Sequence, residues 1–275
     1  MLNKIPHFLF CAIVSAAACA DTGDIKFSNN QIRVQAMSTY VDYTETGNGT
    51  LGTKTGILDT ESGPVGGFAV ALSFMNNLLL NNDYLELNID FSNGKTKYIG
   101  SYQGGTYGQV VTQSTATFHN FGGRYGTGFA LKDHAMLIPF IELGRHQWYR
   151  GVNSGELYTH NHYGIGLLGQ FSPIKKWVYA ASLMYGSTFG SAITVNSGST
   201  YSGFSGALGN SAKYKAGLAA DYAISKELHL NAGIEYVSFS YGMSGIYPIG
   251  GGYVAWEPDS KTYFTIFKLG LGSEF

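Results

Sequence analysis

The chain has two cysteines, Cys11 and Cys19, and none after them. Both fall in the opening MLNKIPHFLFCAIVSAAACA, where Lys4 supplies a charge and Phe8 to Ala17 an apolar core. Ala18-Cys19-Ala20 then fits a small-x-small cleavage site before Asp21. The pattern predicts a secretory signal peptide over residues 1–20. A lipoprotein site at Cys19 is the alternative, weakened by Ala16 where such sites want leucine. The exported chain then carries no disulfide and no thiol chemistry. It also lacks any later apolar run of the roughly 20 residues that a spanning helix needs. Charge is sparse at 13%, and losing Lys4 with the leader leaves 16 basic against 18 acidic residues, a net of −2. No strong field is present to attract nucleic acid. Proline is scarce at 6 residues, whereas glycine (38) and tyrosine (20) abound.

What the chain does have is period two. Reading back from the end of KTYFTIFKLGLGSEF, Phe275, Leu271, Leu269, Phe267 and Tyr263 share one parity, while Glu274, Gly272, Gly270 and Lys268 share the other. Such alternation marks a half-buried strand. It recurs over about 31–45, 64–75, 83–92, 114–131, 136–150, 157–171, 177–188, 211–223 and 228–240, which makes ten strands. Eight or twelve are possible if one has been split or merged. Connections alternate short and long, so all short turns fall on one side. The stretches before Gly63, after Ser92, after Ser187 and over 241–260 read as long loops. Pro139 lacks a ladder donor and predicts a local bulge. Residues 21–30 read as a short periplasmic lead-in too small to act as a plug, and residues 31–275 as one unit.

Aromatic residues sit eight apart on the outward parity: Phe121 and Phe129, Tyr163 and Phe171, Trp177 and Tyr185, Tyr214 and Tyr222, Phe267 and Phe275. Eight residues at ~3.3 Å span about 26 Å. Tilted ~40°, they cover roughly 20 Å of bilayer, close to the ~25 Å apolar band that aromatic girdles bracket. Phe129, Phe171, Trp177, Tyr222 and Phe275 lie beside the short turns, and Tyr185 and Tyr214 at the other interface.

Leader, alternation, girdles and a last strand ending on Phe275 together resemble the Gram-negative outer-membrane β-barrel superfamily; no subfamily is identified. The resemblance implies an all-β, transmembrane, antiparallel up-and-down barrel of ten strands in the cell outer membrane. It implies contact with outer-membrane lipid and lipopolysaccharide. It also implies that the barrel assembly machinery reads Phe275 as an assembly signal.

The inward parity carries Arg33, Arg124, Lys213, Lys215 and Lys268 against Glu86, Asp90, Glu142, Asp221, Glu235 and Glu274. The signs nearly balance, and a narrow lumen must pair them because an unpaired buried charge is costly. The turn near Asp133 should bring Arg124 to Glu142. The turn near Ser225 should bring Lys215 to Glu235 and Asp221 to His229. Arg124, Glu142, His146, Arg150, His160, His162, Lys215, Asp221 and Glu235 form the expected lumen charge network. His160-x-His162 has a spacing that can hold a metal from one strand face, but the reading taken is a satisfied polar network with no metal and no cofactor. Arginine at the inward positions Gly166 or Ala219 is expected to fail by crowding.

Enzymatic motifs of outer-membrane barrels are absent. No mature histidine is followed two residues later by serine, the deacylase and phospholipase pattern. The Asp-x-Asp and Asp-x-His pairs of omptin proteases do not occur. The expectation is a non-enzymatic barrel, structural or a narrow, porin-like small-solute pore with a largely filled lumen. The alternative is a surface adhesin or binding protein whose extracellular ligand is unknown. Tyr247, Tyr253 and Trp256 in the last loop are its candidate recognition surface.

Overall fold

The computed structural model describes residues 22–50, 54–102 and 105–275. The signal peptide, its cleavage site and both cysteines lie outside them. A helix α1 (Thr22–Ser28) precedes β1 (Gln31–Asn48), β2 (Thr55–Asn76), β3 (Asp83–Gly100) and β4 (Val110–Thr127). Then come β5 (Phe129–Lys132), β6 (Ala135–Arg150), β7 (Glu156–Phe171), β8 (Trp177–Val195), β9 (Phe204–Ala207) and β10 (Ala212–Ala223). β11 (Leu228–Tyr241), the hairpin β12 (Tyr247–Gly250) and β13 (Tyr253–Ala255), and β14 (Asp259–Glu274) complete the chain.

Ten long antiparallel strands (all but β5, β9, β12 and β13) pair each with its sequence neighbour, and β14 pairs with both β11 and β1 to close the ring. Closure leaves no strand edge, the condition for a sheet to cross lipid. No helix among the described residues is long and apolar enough to cross a membrane, which leaves crossing by strands untouched. At the short-turn end, Asp83 Oδ2 accepts the amides of Leu78, Leu79 and Leu80 at 3.1, 2.5 and 2.8 Å and holds that turn.

The outward parity is apolar through the middle of the wall. Val34, Ile89, Phe121, Leu143, Ile165, Leu183, Leu218 and Leu269 are all exposed. It then turns polar toward the long-loop end, at Asp42, Asn93, Arg145, Asn161 and Lys261. The strands nevertheless continue. β3 runs from Asn93 to Gly100 past this boundary, about 26 Å of extra strand. Sequence reading treats these stretches of β2, β3, β4 and β8 as loops. They are strands whose outward face is polar and whose inward face is largely polar too, though buried, so hydrophobic alternation marks them weakly.

Two further expectations are corrected. Pro139 makes no bulge: its pairing with β7 keeps register through Pro139↔Leu167. On its other side, the ladder pauses between Gly126↔Phe140 and Phe129↔Leu137 and resumes in the same register. The missing donor thus falls at a break between β4 and β5. The lead-in is also more than a linker. α1 seats in the short-turn mouth with Ile25 fully buried among Met75, Met136, Ile138, Phe140, Leu168, Val178 and Met184. Asn29 exchanges amide hydrogen bonds with Gln170 at 2.7 and 3.0 Å, and Asn30 bonds both ways with the backbone of Met75. Seven residues suffice because the mouth is only one helix wide.

Candidate functional site

The barrel interior is stratified. Above α1 lies a charged layer, where Arg124 is opposite Glu142 across the β4–β6 ladder. Arg124 Nε donates to Glu142 Oε2 at 2.6 Å, and its two outer nitrogens lie 3.6 Å from Glu86 and Glu235. Arg33 donates to Glu86 at 2.7 Å. Lys215 bridges Glu142 at 3.1 Å and Glu235 at 3.5 Å. Three cations thus answer three carboxylates. Lys268 pairs separately with Asp90 at 3.2 Å. Nearer the short turns, Asp221 holds His229 at 2.7 Å and also accepts from Asn231 and Gln31.

Between the charges and β10–β11 a cavity of about 170 Å³ remains, lined by Arg33, Glu86, Arg124, Asp221, Glu235 and Lys268 among others. Asn231 Oδ1 and Arg33 Nε have no hydrogen-bond partner among the described residues. A polar space of this size holds several waters, which can satisfy them.

An aromatic layer closes the lumen above the charges. Trp148, fully buried, packs edge-on to Tyr43 at 5.2 Å between centroids, against Phe118 at 5.5 Å and against Phe264 at 6.2 Å. His146 and His160 belong to this layer. His146 bonds Asn120 at 2.6 Å and lies 4.9 Å ring to ring from His160, whose Nδ1 meets Tyr241 Oη at 2.7 Å. Lys213 joins the floors, 3.5 Å from His160 Nε2 and 3.2 Å from His162 Nδ1, while His162 Nε2 reaches Glu142 Oε1 at 3.0 Å. No group of three His, Cys, Asp or Glu among the described residues could hold a metal.

Glycine makes this packing possible. A Cβ on Gly144 would stand 2.4 Å from His162 Cε1, and one on Gly166 would stand 2.4 Å from Phe140 Cζ. Those two backbones are the sockets of the His162 imidazole and the Phe140 ring. Ala219, expected to be equally tight, instead faces the lumen cavity and is exposed.

The uppermost layer lies in the strand extensions. Arg150, fully buried, meets Glu61 at 2.8 Å, Glu156 at 3.1 Å and Asp59 at 3.3 Å, and its guanidinium stacks 4.3 Å from the Tyr43 ring centre. Thr96 donates to the other oxygen of Glu61 at 2.5 Å. The nine residues grouped as one lumen network therefore occupy separate floors: five in the charge layer, Asp221 below, His146 and His160 in the aromatic seal, Arg150 at the top. Asp59, Glu61, Glu156 and Glu257 went unassigned. Asp59 and Glu61 continue the inward parity of Val65 and Ala69, but in a stretch of β2 that reads as loop; Glu257 lies in a non-periodic segment.

The outward aromatics pair across strands. Tyr185 opposes Tyr214 with centroids 5.3 Å apart, and Trp177 opposes Tyr222 at 4.7 Å. Phe129, Phe171 and Phe275 are exposed. Of the last-loop rings, Tyr247 stacks on Phe204 at 5.1 Å, Tyr253 is exposed, and Trp256 faces a cavity among the long loops.

No protein-family model matches the chain, and no curated protein does. Among solved structures, the outer membrane protease OmpT from Escherichia coli superposes with a TM-score of 0.58 at 9% identity, covering 89% of this chain and 95% of that one. The chain has the outer-membrane β-barrel fold. The translocator domain of the autotransporter NalP from Neisseria meningitidis matches at 12% identity over 94% of this chain and 100% of that one, with a TM-score of 0.39. OprG from Pseudomonas aeruginosa matches at 9% over 90% and 98%, with a TM-score of 0.36. At these identities the likeness to OmpT is one of fold.

Proposed function

We propose that the chain is a closed, non-enzymatic outer-membrane barrel whose working surface is its extracellular end. The short turns face the periplasm and the strand extensions face outward, with the apolar belt against lipid and lipopolysaccharide. The observation that carries this reading is the double seal. Ile25 with its apolar neighbours blocks the periplasmic mouth, and the Trp148–Phe118–Phe264 layer blocks the lumen above the charges. Between them Arg33, Arg124 and Lys215 are paired with Glu86, Glu142 and Glu235, so the charged layer offers a permeating solute no free counter-charge. Absence of the Asp-x-Asp, Asp-x-His and His-x-Ser pairs supports the non-enzymatic part.

Planar-bilayer recording of the refolded chain tests the reading. The expected result is no stable conductance step. A large, steady, charge-selective current would refute it and promote a porin-like function. Outer-membrane residence is checked in parallel by heat-modifiable mobility of the membrane fraction, and leader removal by an N-terminus at Asp21.

A further inference from the structure

The extracellular end holds more negative charge than its cation can answer. Asp59, Glu61 and Glu156 all contact Arg150. Glu45 and Glu257 are left with hydroxyl partners only. Tyr43 Oη lies 3.3 Å from both Glu45 Oε2 and Glu257 Oε1, with one proton to give to either, and Tyr158 donates to the same Glu257 oxygen. Glu257 is 5% exposed, yet its second oxygen, Oε2, has no hydrogen-bond partner among the described residues. The residue is not loosely placed: its amide donates to Ser244 Oγ at 2.8 Å and its carbonyl accepts from Ser244 N at 2.9 Å. Arg150 lies near enough to act on Glu257 but already contacts three other carboxylates, and holding a buried carboxylate without a cation in contact is costly.

Glu257 faces a cavity of about 360 Å³ between the loops and the upper strands. Glu45, Asp59 and Glu156 line it too, and no lysine or arginine among the described residues does. The rest of its wall is strongly aromatic: Tyr98, Tyr102, Tyr201, Phe204 and Trp256. Carboxylates beside π-faces make an environment for a cation that carries carbon, since the ring quadrupole attracts the charge while the ring surface covers the alkyl part. A bare metal ion fits poorly, because no three His, Cys, Asp or Glu side chains among the described residues are placed to hold one.

We propose that this cavity binds a small alkylammonium ion, with Glu257 as its charge partner and Trp256 as part of its aromatic wall. The proposal rests on the closed-barrel reading only in taking the cavity as a dead end instead of a pore entrance. Binding and conductance are therefore measured separately. A current with intact binding would overturn the closed barrel alone, and a silent barrel without binding would overturn the site alone.

The test is calorimetric titration of the full refolded chain with choline and with putrescine, which separate a quaternary from a primary amine source. The expected result is saturable binding of at least one of them. Affinity should fall at least tenfold in Glu257→Gln and in Trp256→Leu and stay unchanged in Glu227→Gln, a turn residue at the opposite end. The uncharged carbon analogue of choline should not compete. Absence of binding by both amines to the wild type would overturn the proposal. So would equal competition by the carbon analogue, which would make the cavity merely apolar, or stoichiometric calcium displacing the amine, which would make it a metal site. Heat-modifiable mobility of each variant shows that a lost signal is not a lost fold.

Discussion

Arg124 and Glu142 face each other across two strands joined by a tight turn, with Nε 2.6 Å from Oε2. Glu142 also takes Lys215 and His162 on its other oxygen, so one carboxylate satisfies three neighbours. Replacing it with alanine leaves Arg124 and Lys215 short of counter-charge inside the barrel. The expected loss is about 3–5 kcal/mol, the range for stranding a buried charge. Urea unfolding in lipid vesicles reads it. Lys213 gives the contrast. It contacts two imidazoles and no carboxylate, so Lys213→Met strands no charge, only two imidazole nitrogens that lose their donor, and should cost clearly less than the loss of Glu142.

The lumen wall should tolerate bulk unevenly. Gly166→Arg drives a side chain into the Phe140 ring and the Leu183 carbonyl, 2.4 and 2.5 Å from an added Cβ, and should prevent assembly of the folded barrel. Ala219→Arg enters the water-sized space beside Asp221 and Glu235 and should fold. Equal loss of heat-modifiable band in both would show the cavity is not there.

The lipid face can be charged at a known cost. Leu167 and Leu218 are exposed near mid-strand, and arginine at either should destabilise by about 2–4 kcal/mol, the midplane value for transmembrane barrels. Ser199→Arg, in an exposed loop, should stay within about 0.5 kcal/mol. The same unfolding assay ranks all three.

Much of this was readable from residue order. Parity alone assigns the two faces, because a closed sheet between lipid and a packed lumen forces strict alternation. The Arg124–Glu142 and Asp221–His229 pairs follow from parity plus the position of a turn. Legibility ends at the membrane boundary. From Asn93 onward both faces of β3 are polar, so the strand looks like a loop, and Asp59 and Glu61 vanish with the matching part of β2. Parity also carries no height-specific chemistry. His146 shares its parity with Glu142, but its neighbours Phe118, Phe239 and Phe264 come from three other strands. α1 is hidden for a simpler reason: seven residues are too few for a helical period to show.

Two seals in series make a specific electrical prediction. Resistances in series add, so opening either seal alone leaves the other limiting. Ile25→Asp at the periplasmic mouth and Trp148→Ala in the aromatic layer should each leave bilayer current near baseline. The double variant should conduct small ions through the charged layer. Full current in one single variant would mean that the other layer is not a seal.

Glu257 ties the extracellular end to pH. Burial, then the Glu156 carboxylate beside it, hold its pKa well above the usual carboxylate range. The groups facing it are Glu45 and Tyr43 of β1, Asp59 of β2, Arg150 of β6, and Glu156 and Tyr158 of β7. Between the ordinary carboxylate value and the raised one, the folded chain binds a proton that the unfolded chain has released. Stability therefore falls as pH rises through that window. Glu156 and Glu45 lie close to Glu257 and are raised by burial in the same way, so the slope belongs to the cluster and not to Glu257 alone. Glu257→Gln should flatten the acid-to-neutral slope of unfolding midpoint against pH, and the wild type should cross below the variant as pH climbs. A bound alkylammonium reverses the wild-type trend, because it stabilises the ionised carboxylate. Its binding should tighten with pH and release protons, seen as a buffer-dependent heat in calorimetry. A wild-type profile that matches Glu257→Gln at every pH would show that Glu257 holds its proton equally in the folded and unfolded chain, and would overturn the raised value.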